Sequence, residues 1–223
     1  MESDRPQIER EPTKKGILLV MTGPSGAGKD TISNEVMQVP GFEAERIVTY
    51  ASRASRPGEV DGVDYNFVTL PQFEEMISTG QFAEYFNYAP PDKPPDYKGT
   101  TREPFDRVLA GENTLWRIDP SRAAQTDKFF DENFTAEEAA VLKDRTLVVY
   151  VGVPTLATLY HRVKSRNPAE FAANKEKFLE RLGRDWADWQ KYGHLFENVV
   201  MNDGTIEEAV QKVNEFIQSQ GSE

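Results

Sequence analysis

The sequence has no cysteine and only two histidines, and both shortages narrow the chemistry open to it. Without cysteine there is no disulfide framework, no thiolate nucleophile and no cysteine-based metal site. The histidines, His161 and His194, lie far from any motif that carries reactive groups, which favours surface or packing roles for both. A chain without cysteine fits a reducing compartment, so we expect a cytoplasmic protein.

Long apolar runs are also missing. No stretch approaches the roughly 20 residues that a membrane-spanning helix needs, so we expect no membrane partner. Residues 1–15 are charged and contain prolines, with no apolar segment of the kind found in secretory signals and too many acidic residues for a transit peptide. We expect a disordered tail in this region.

The chain has fewer basic than acidic residues: 26 lysines and arginines against 37 aspartates and glutamates, which gives a net charge of −11. This charge argues against nucleic acid as a partner, because a polyanion would be repelled over most of the surface. An acidic protein that handles anionic substrates must gather its cations locally, which makes clusters of arginine informative. The 223 residues suffice for one α/β domain with inserted lobes.

A glycine-rich loop after an apolar run gives the strongest signal. The apolar run ends at Met21, the loop reads Gly-Pro-Ser-Gly-Ala-Gly-Lys from Gly23 to Lys29, and a helical pattern begins at Thr31. A strand, a Gly-x-x-x-x-Gly-Lys loop and a helix in this order are typical of a phosphate-binding P-loop. The glycines let backbone N–H groups close around phosphate oxygens, and the helix N-terminus adds the positive end of its dipole.

Lys29 is predicted to reach the β- and γ-phosphates of a nucleoside triphosphate. The alternative is a turn that merely joins a strand to a helix, and the lysine and the apolar strand together argue against it. The loop residues predicted to bind the nucleotide are Gly23, Pro24, Ser25, Gly26, Ala27, Gly28, Lys29, Asp30 and Thr31.

Asp30 departs from the P-loop pattern, which has serine or threonine after the lysine to place a hydroxyl on Mg²⁺. A carboxylate is a good Mg²⁺ ligand, although it brings negative charge close to the phosphates. Alternatively, Asp30 only caps or charges the first helical turn, where a carboxylate is favoured. We expect Asp30 to help hold the metal, directly or through water.

Alternating strands and helices predict an α/β fold with a parallel sheet. Strands are expected at residues 17–21, 47–51, 65–68, 81–87, 114–118, 146–151 and 198–201. Helices are expected at residues 31–38, 71–78, 102–110, 120–130, 155–166, 175–190 and 206–218. Strands outnumber helices between about residues 49 and 86, which indicates an inserted lobe.

A second motif lies inside this lobe. Arg53 and Arg56 are three residues apart, and Tyr65 follows them. Guanidinium groups bind phosphate through paired hydrogen bonds, and a phenol can add another, so a phosphate clamp is one interpretation. A solvated charged loop is the other, and the spacing alone does not decide between them.

Together with the P-loop, the pattern Arg-x-x-Arg-x-Gly-Glu-x-x-Gly-x-Asp-Tyr-x-Phe-Val from Arg53 resembles the guanylate kinase family, and the resemblance extends over about residues 17–217. It implies a three-layer P-loop kinase core with a parallel sheet at residues 16–48 and 103–223, a nucleoside-monophosphate-binding lobe at 49–102 and a helical lid at about 162–185. The implied activity is Mg²⁺-dependent transfer of the γ-phosphate of ATP to GMP. The chain is expected as a monomer or a homodimer.

The resemblance also assigns roles to residues. It places GMP against Thr49, Arg53, Arg56, Tyr65, Glu84, Lys98, Thr100 and Asp119. Glu84 matches the family's guanine-reading glutamate, since a carboxylate accepts from guanine N1–H and the exocyclic amine, and adenine does not offer that arrangement. Asn202 resembles the family's segment near the adenine of ATP.

The lid resemblance rests on three arginines. Arg162 and Arg166 are four residues apart and share a helix face, and Arg181 matches a third lid arginine. With Lys29, they are predicted to neutralise charge on the transferring phosphoryl group. The residues alone favour a solvated helix face paired with Glu170, Glu176 or Glu180, and only the resemblance favours the catalytic role.

Two positions depart from the family pattern and keep other functions open. Lys98 stands where a phosphate-binding tyrosine is expected, and Arg117 replaces the first aspartate of an Asp-Ile-Asp motif. Because Asp30 and Arg117 are opposite charge changes in one site, they are a candidate ion pair. One alternative is a phosphotransferase for another small phosphate, such as ribose bisphosphate. Another is a non-catalytic interaction module, against which the intact P-loop argues.

Overall fold

A computed structural model of the chain describes residues 15–56 and 58–220. The tail expected at residues 1–15 therefore lies, apart from Lys15, outside the described residues. The strands are β1 (Leu18–Thr22), β2 (Ala44–Arg46), β3 (Tyr50–Ala51), β4 (Asn66–Phe67), β5 (Phe82–Asn87), β6 (Tyr97–Thr101), β7 (Asn113–Arg117), β8 (Thr146–Gly152) and β9 (Asn198–Met201). The helices are α1 (Lys29–Val36), α2 (Leu70–Ser78), α3 (Glu103–Leu109), α4 (Pro120–Ala123), α5 (Thr126–Asn133), α6 (Ala136–Asp144), α7 (Leu156–Arg166), α8 (Pro168–Ala173), α9 (Lys175–Tyr192) and α10 (Ile206–Gln220).

The core is a parallel sheet with strand order β2-β7-β1-β8-β9 among the described residues. Every residue of β1 is buried, which explains its unbroken apolar run, because the central strand of a parallel sheet is covered on both faces. Leu19 and Met21 join one apolar cluster, whereas Leu18 and Val20 join another. Alternate residues point to opposite faces, so helices pack on both sides of the sheet, and the predicted three-layer α/β fold is confirmed.

A second sheet, with order β4-β3-β6-β5, is built from residues 50–101. The β3–β4 pair is parallel and the other two pairs are antiparallel. The ring of Phe73 on α2 stacks on Phe82 at 4.4 Å and on Tyr97 at 5.3 Å between centroids. None of these three rings belongs to the two apolar clusters of the core sheet. The second sheet falls within the predicted lobe, whose boundaries stay a prediction.

The structure corrects two of the predicted elements. Of the strand expected at residues 47–51, only Tyr50–Ala51 is strand, as β3 of the second sheet, whereas the core strand β2 was not predicted and precedes it at Ala44–Arg46. The helix expected at 120–130 breaks near Gln125 into α4 and α5. At both places the chain changes direction between packing partners, which local periodicity does not reveal.

Besides β2, three elements were not predicted. Strand β6 contains Lys98 and Gly99 and lacks an alternating apolar pattern, so its pairing with β5 and β3 comes from tertiary context. Helix α6 begins with a capping box between Thr135 and Glu138, a signal that was readable from the sequence. Helix α8 has six residues, too few for a visible helical period. Among all the described helices, none has the length and apolar character needed to cross a membrane.

Candidate functional site

A cleft of about 1290 Å³ opens where β1 and β7 end, and residues of both sheets and of α7 and α9 line it. Ligands of open parallel sheets bind at this carboxyl edge of the strands. Predicted site residues that line the cleft are Gly23, Ser25, Gly26, Gly28, Lys29, Asp30, Thr31, Thr49, Tyr65, Glu84, Lys98, Thr100, Asp119, Arg162, Arg166 and Arg181. Predicted site residues that do not line it are Pro24, Ala27, Arg53, Arg56 and Asn202.

The glycine-rich loop joins β1 to α1 with its backbone held close to neighbouring elements. Gly23 and Gly28 have φ values of 130° and 93°, a region that residues with a side chain avoid. A Cβ on Gly23 would lie 2.1 Å from the Val151 carbonyl oxygen, and one on Gly28 would lie 2.4 Å from Asn202 Nδ2. Both glycines are therefore required by the close packing of the loop as well as by its conformation.

Lys29 lies inside the curve of the loop. Its Nζ donates to the carbonyl oxygens of Gly23 at 2.7 Å and Pro24 at 2.8 Å. Burial lowers the pKa of Lys29 to about 8, although the charges of Asp30 and Asp185 act in the opposite direction. The ammonium group is thus desolvated and held at the mouth of a phosphate-sized loop.

The lowered pKa of Lys29 predicts that ATP binding takes up a proton. At pH 8 about half of the nucleotide-free protein carries a neutral Lys29, and phosphate oxygens favour the charged form, so we expect uptake of roughly half a proton per ATP. Raising the pH above 8 depletes the ammonium form, and ATP affinity should fall. Calorimetry at pH 8 in two buffers of different ionisation enthalpy measures the uptake. Lys29→Arg, which stays charged, should take up none, and equal heats for the native protein in both buffers would contradict the prediction.

Asp30 and Arg117 form an ion pair, as predicted from their opposite changes of charge relative to the family pattern. Arg117 Nη1 donates to Asp30 Oδ1, joining the end of β7 to the first turn of α1. The Asp30 side chain remains 65% exposed in the cleft, beside Lys29. This pairing is confirmed, whereas the role of Asp30 toward a metal stays a prediction.

Asp185 of α9 contacts the P-loop and was not predicted as a site residue. Its Oδ2 accepts a hydrogen bond of 2.6 Å from the backbone N–H of Ser25. In a P-loop such N–H groups bind phosphate oxygens. The carboxylate therefore occupies a donor that a nucleotide would use. Its position one helical turn after Arg181 was the available sequence signal.

We expect Asp185→Asn to tighten ATP binding by roughly fivefold, because a competing charge-assisted hydrogen bond of about 1 kcal/mol is weakened. Asp188→Asn is the matched control, since Asp188 lines the same cleft from the same helix and has no hydrogen bond to the loop among the described residues. Equilibrium titration with ATP measures both. Equal changes in the two variants would attribute the effect to net charge, and weaker binding in Asp185→Asn would assign Asp185 to ordering the loop.

Lys98 and Tyr65 meet on the opposite wall of the cleft. Lys98 Nζ donates to the Tyr65 hydroxyl at 3.1 Å and lies 4.8 Å from the Tyr65 ring centroid and 5.2 Å from that of Tyr88. A cation and a phenol are thus placed together, as a phosphate-binding wall requires.

Arg53 and Arg56 lie behind this wall. Arg53 forms a bidentate ion pair with Glu59 at 2.7 and 2.8 Å, and its guanidinium lies 5.3 Å from the Tyr65 ring centroid. The backbone N–H of Arg56 also donates to Glu59. The Arg53 hydrogen bonds, aided by this N–H group, hold the pKa of Glu59 at about 2. In this arrangement Glu59 occupies Arg53, so its predicted contact with GMP requires a phosphate to replace that carboxylate.

Glu84 forms an ion pair with Arg122 across the cleft. Arg122 Nη2 contacts Glu84 Oε1, and Thr100 Oγ1 donates to the same oxygen at 3.3 Å. Burial lowers the pKa of Arg122 to about 10. Asp119 caps α4 by accepting from the Arg122 backbone N–H at 3.1 Å. Arg122 was not predicted as a site residue, and its contact with Glu84 was not foreseen.

The lid arginines divide into two groups. Arg162 donates to the carbonyl oxygens of Asn202 at 2.8 Å and Ala27 at 3.4 Å. Asn202 is buried and donates from Nδ2 to Ala27 O at 2.7 Å, so it supports the P-loop from below and does not line the cleft. Arg166 and Arg181 line the cleft as exposed side chains, and no described acidic residue forms an ion pair with them, so their role toward a phosphoryl group stays a prediction.

Comparisons with known proteins match this architecture. Residues 15–114 match the family model described as guanylate kinase. The chain is 34% identical to a guanylate kinase of Thermus thermophilus, covering 88% of this chain and 78% of that protein. It is 31% identical to a guanylate kinase of Oceanobacillus iheyensis, covering 93% and 89%. A crystal structure of guanylate kinase from Anaplasma phagocytophilum superposes with a TM-score of 0.60 over 95% of this chain and 89% of that chain. The two sequences are 19% identical, so this likeness supports the fold alone.

Proposed function

The chain belongs to the guanylate kinase family, and we propose from this that it transfers the γ-phosphate of ATP to GMP, yielding ADP and GDP. The observation that carries the proposal is that one cleft holds both Lys29 of the P-loop and Glu84 of the second sheet. The first is suited to the phosphates of the donor and the second to the guanine of the acceptor. Phosphoryl transfer needs both substrates aligned in one water-excluding site.

At the donor end, the backbone N–H groups of the P-loop and the Lys29 ammonium would bind the ATP phosphates. Lys29 would exchange its two carbonyl acceptors for phosphate oxygens. The Ser25 N–H would exchange the Asp185 carboxylate for another phosphate oxygen. ATP binding therefore requires the phosphates to displace the Asp185 carboxylate and the two loop carbonyls from these donors.

The residues around Lys29 fit a Mg²⁺ ion that is bound mainly by nucleotide phosphates. Mg²⁺ in such sites is held by one or two carboxylates, phosphate oxygens and water. Among the described residues no three acidic or histidine side chains gather as a metal site, and Asp30 supplies one exposed carboxylate beside the loop. Bound there, Mg²⁺ would neutralise charge that develops on the phosphates.

This role for Asp30 predicts a weaker response to Mg²⁺ in Asp30→Ala. We expect the Mg²⁺ concentration for half-maximal activity to rise by about tenfold, as for loss of a positioning ligand. Asp127→Ala is the matched control, because Asp127 also occupies the first turn of a helix but lies outside the cleft. Asp30→Ala leaves the Arg117 charge without its partner, and the double variant Asp30→Ala/Arg117→Ala removes that charge as well. If the Mg²⁺ response were unchanged in both variants, Asp30 would only stabilise the first turn of α1.

At the acceptor end, Lys98 and Tyr65 would bind the GMP phosphate, with Arg53 and Arg56 joining when Glu59 is displaced. Glu84 would accept from guanine N1–H and the exocyclic amine. Thr49, Thr100 and Asp119 line the same part of the cleft. Arg162, Arg166 and Arg181 would stabilise the transferring phosphoryl group when lobe and lid close.

The proposal is tested by ADP release from Mg²⁺-ATP with GMP, dGMP, AMP, UMP and ribose 1,5-bisphosphate. Turnover with GMP that exceeds turnover with AMP is the expected result, because the base site carries an acceptor carboxylate. Turnover with ribose bisphosphate alone would support the second candidate, an altered acceptor, which Lys98 in place of a tyrosine and Arg117 in place of an aspartate favour. ATP binding with no turnover of any acceptor would contradict both.

A further inference from the structure

Arg122 lies at the acceptor end of the cleft and has no part in the reaction as proposed above. It belongs to α4, which follows β7 of the core sheet. Its guanidinium carbon lies 5.3 Å from the ring centroid of Trp116 and 5.4 Å from that of Phe86. Trp116 belongs to the core sheet and Phe86 to the second sheet, so this cation is held between aromatic faces of the two lobes.

The ion pair with Glu84 leaves hydrogen-bonding groups unused on both partners. Arg122 Nη2 and Thr100 Oγ1 both approach Glu84 Oε1, and no residue in the described ranges donates to Oε2. Arg122 has five N–H groups, and we find no hydrogen bond from Nε or Nη1 to a described residue. A carboxylate oxygen and several guanidinium N–H groups therefore stand side by side, open to a ligand.

The edge of guanine has the complementary pattern. It presents the O6 acceptor next to the N1–H donor, whereas adenine presents an amine donor next to a bare nitrogen acceptor. We propose that Arg122 is a specificity-determining residue that donates to guanine O6 while Glu84 accepts from N1–H and the exocyclic amine. This inference rests on the proposed function, since it requires GMP as the acceptor.

Burial makes this readout selective. A guanidinium that is desolvated with N–H groups unpaired is costly, and the carbonyl of guanine would satisfy them. The exocyclic amine of adenine, in the place of guanine O6, would bring a donor against the N–H donors of Arg122 and leave them unpaired. Adenine is therefore rejected. The flanking rings of Trp116 and Phe86 restrict the guanidinium plane, which fixes the direction of its donors.

The test is kcat/KM for three acceptors that differ by one group each. GMP carries O6, N1–H and the amine; IMP lacks the amine; 6-thioguanosine monophosphate replaces O6 by sulfur, a weaker acceptor. Native protein, Arg122→Met and Glu84→Gln are compared with each acceptor. Arg107→Met is the matched control, because Arg107 is a similarly half-buried, ion-paired arginine outside the cleft.

We expect Arg122→Met to lower kcat/KM for GMP and for IMP by the same factor, about tenfold to a hundredfold, as for loss of a hydrogen bond from a charged group. The ratio of kcat/KM for GMP to kcat/KM for the 6-thio analogue should fall toward one in this variant. Glu84→Gln should instead abolish the preference for GMP over IMP. Arg107→Met should leave all three values unchanged.

Two results would overturn the inference while leaving the proposed function standing. If Arg122→Met lost the GMP-over-IMP preference as Glu84→Gln does, Arg122 would merely hold Glu84 in place. If Arg122→Met raised turnover of GMP, the ion pair would block the base site. Failure of the native protein to phosphorylate GMP at all would instead overturn the proposed function, and this inference with it.

Loss of the Arg122 charge beside a buried carboxylate can also disturb folding. Arg122→Lys keeps that charge and gives up the planar fork, so it is measured with the same acceptors. We expect it to show the same reduced preference for GMP over the 6-thio analogue. If Arg122→Lys lowered kcat/KM for GMP and for the 6-thio analogue by the same factor, O6 readout would be contradicted even if Arg122→Met does not fold.

Discussion

Replacing Lys29 by methionine is expected to lower kcat/KM for ATP-dependent GMP phosphorylation by roughly a thousandfold, as for loss of a preorganised electrostatic group in a desolvated site. Lys29 lies in the curve of the P-loop and donates to two loop carbonyls, so methionine removes the charge that faces the phosphates and leaves those carbonyls unpaired. ADP release under saturating GMP measures the effect.

Lys128→Met is the control for this variant, because Lys128 lies on an exposed helix face and pairs with Glu132 outside the cleft. It should retain native activity. A Lys29→Met protein that is folded and within tenfold of native kcat/KM would show that Lys29 has only the structural role visible in its bonds to Gly23 and Pro24.

Glu84→Gln is expected to lower kcat/KM for GMP by roughly a hundredfold to a thousandfold, the range found when one partner of a buried charged pair is removed. The amide presents a donor to a donor edge of guanine, and it leaves the Arg122 charge without its partner. The KM for ATP should not change, because the P-loop lies at the other end of the cleft. Initial rates with varied GMP and with varied ATP give both quantities.

Glu75→Gln is the matched control, since Glu75 lies on α2 of the same lobe but outside the cleft. It should behave as the native protein. If Glu84→Gln raised the KM for ATP as much as that for GMP, Glu84 would support the closed shape of the cleft and have no direct role in reading the base.

The donor side of the site could be predicted from the sequence because its signal is local. A buried strand, a glycine-rich loop and Lys29 are consecutive, so the order of residues alone determines the geometry. The alternation of strands and helices likewise predicted the parallel sheet. The boundary of α9 was missed by only two residues at its C-terminal end, which is ordinary fraying.

Contacts between distant segments were harder to predict, on both the donor and the acceptor side of the site. Arg122 is 38 residues from its partner Glu84, and Asp185 is 160 residues from Ser25. Neither pair has a spacing that a sequence pattern can register. The Asp30–Arg117 pair could be foreseen because both residues depart in charge from a known motif. Departures from a pattern are therefore more informative about distant contacts than the pattern itself.

The stack of Phe73, Phe82 and Tyr97 gives the second sheet an apolar centre of its own, separate from both clusters of the core. Cooperative units of a protein can open at free energies below that of global unfolding. We therefore expect the second sheet to loosen as a subglobal unit while the central sheet and the P-loop stay intact, although Ala83 of β5 also joins a core cluster. Under the proposed function, substitutions in this stack would change the residence time of GMP and leave that of ATP unchanged. The affinities for the two substrates can then evolve independently.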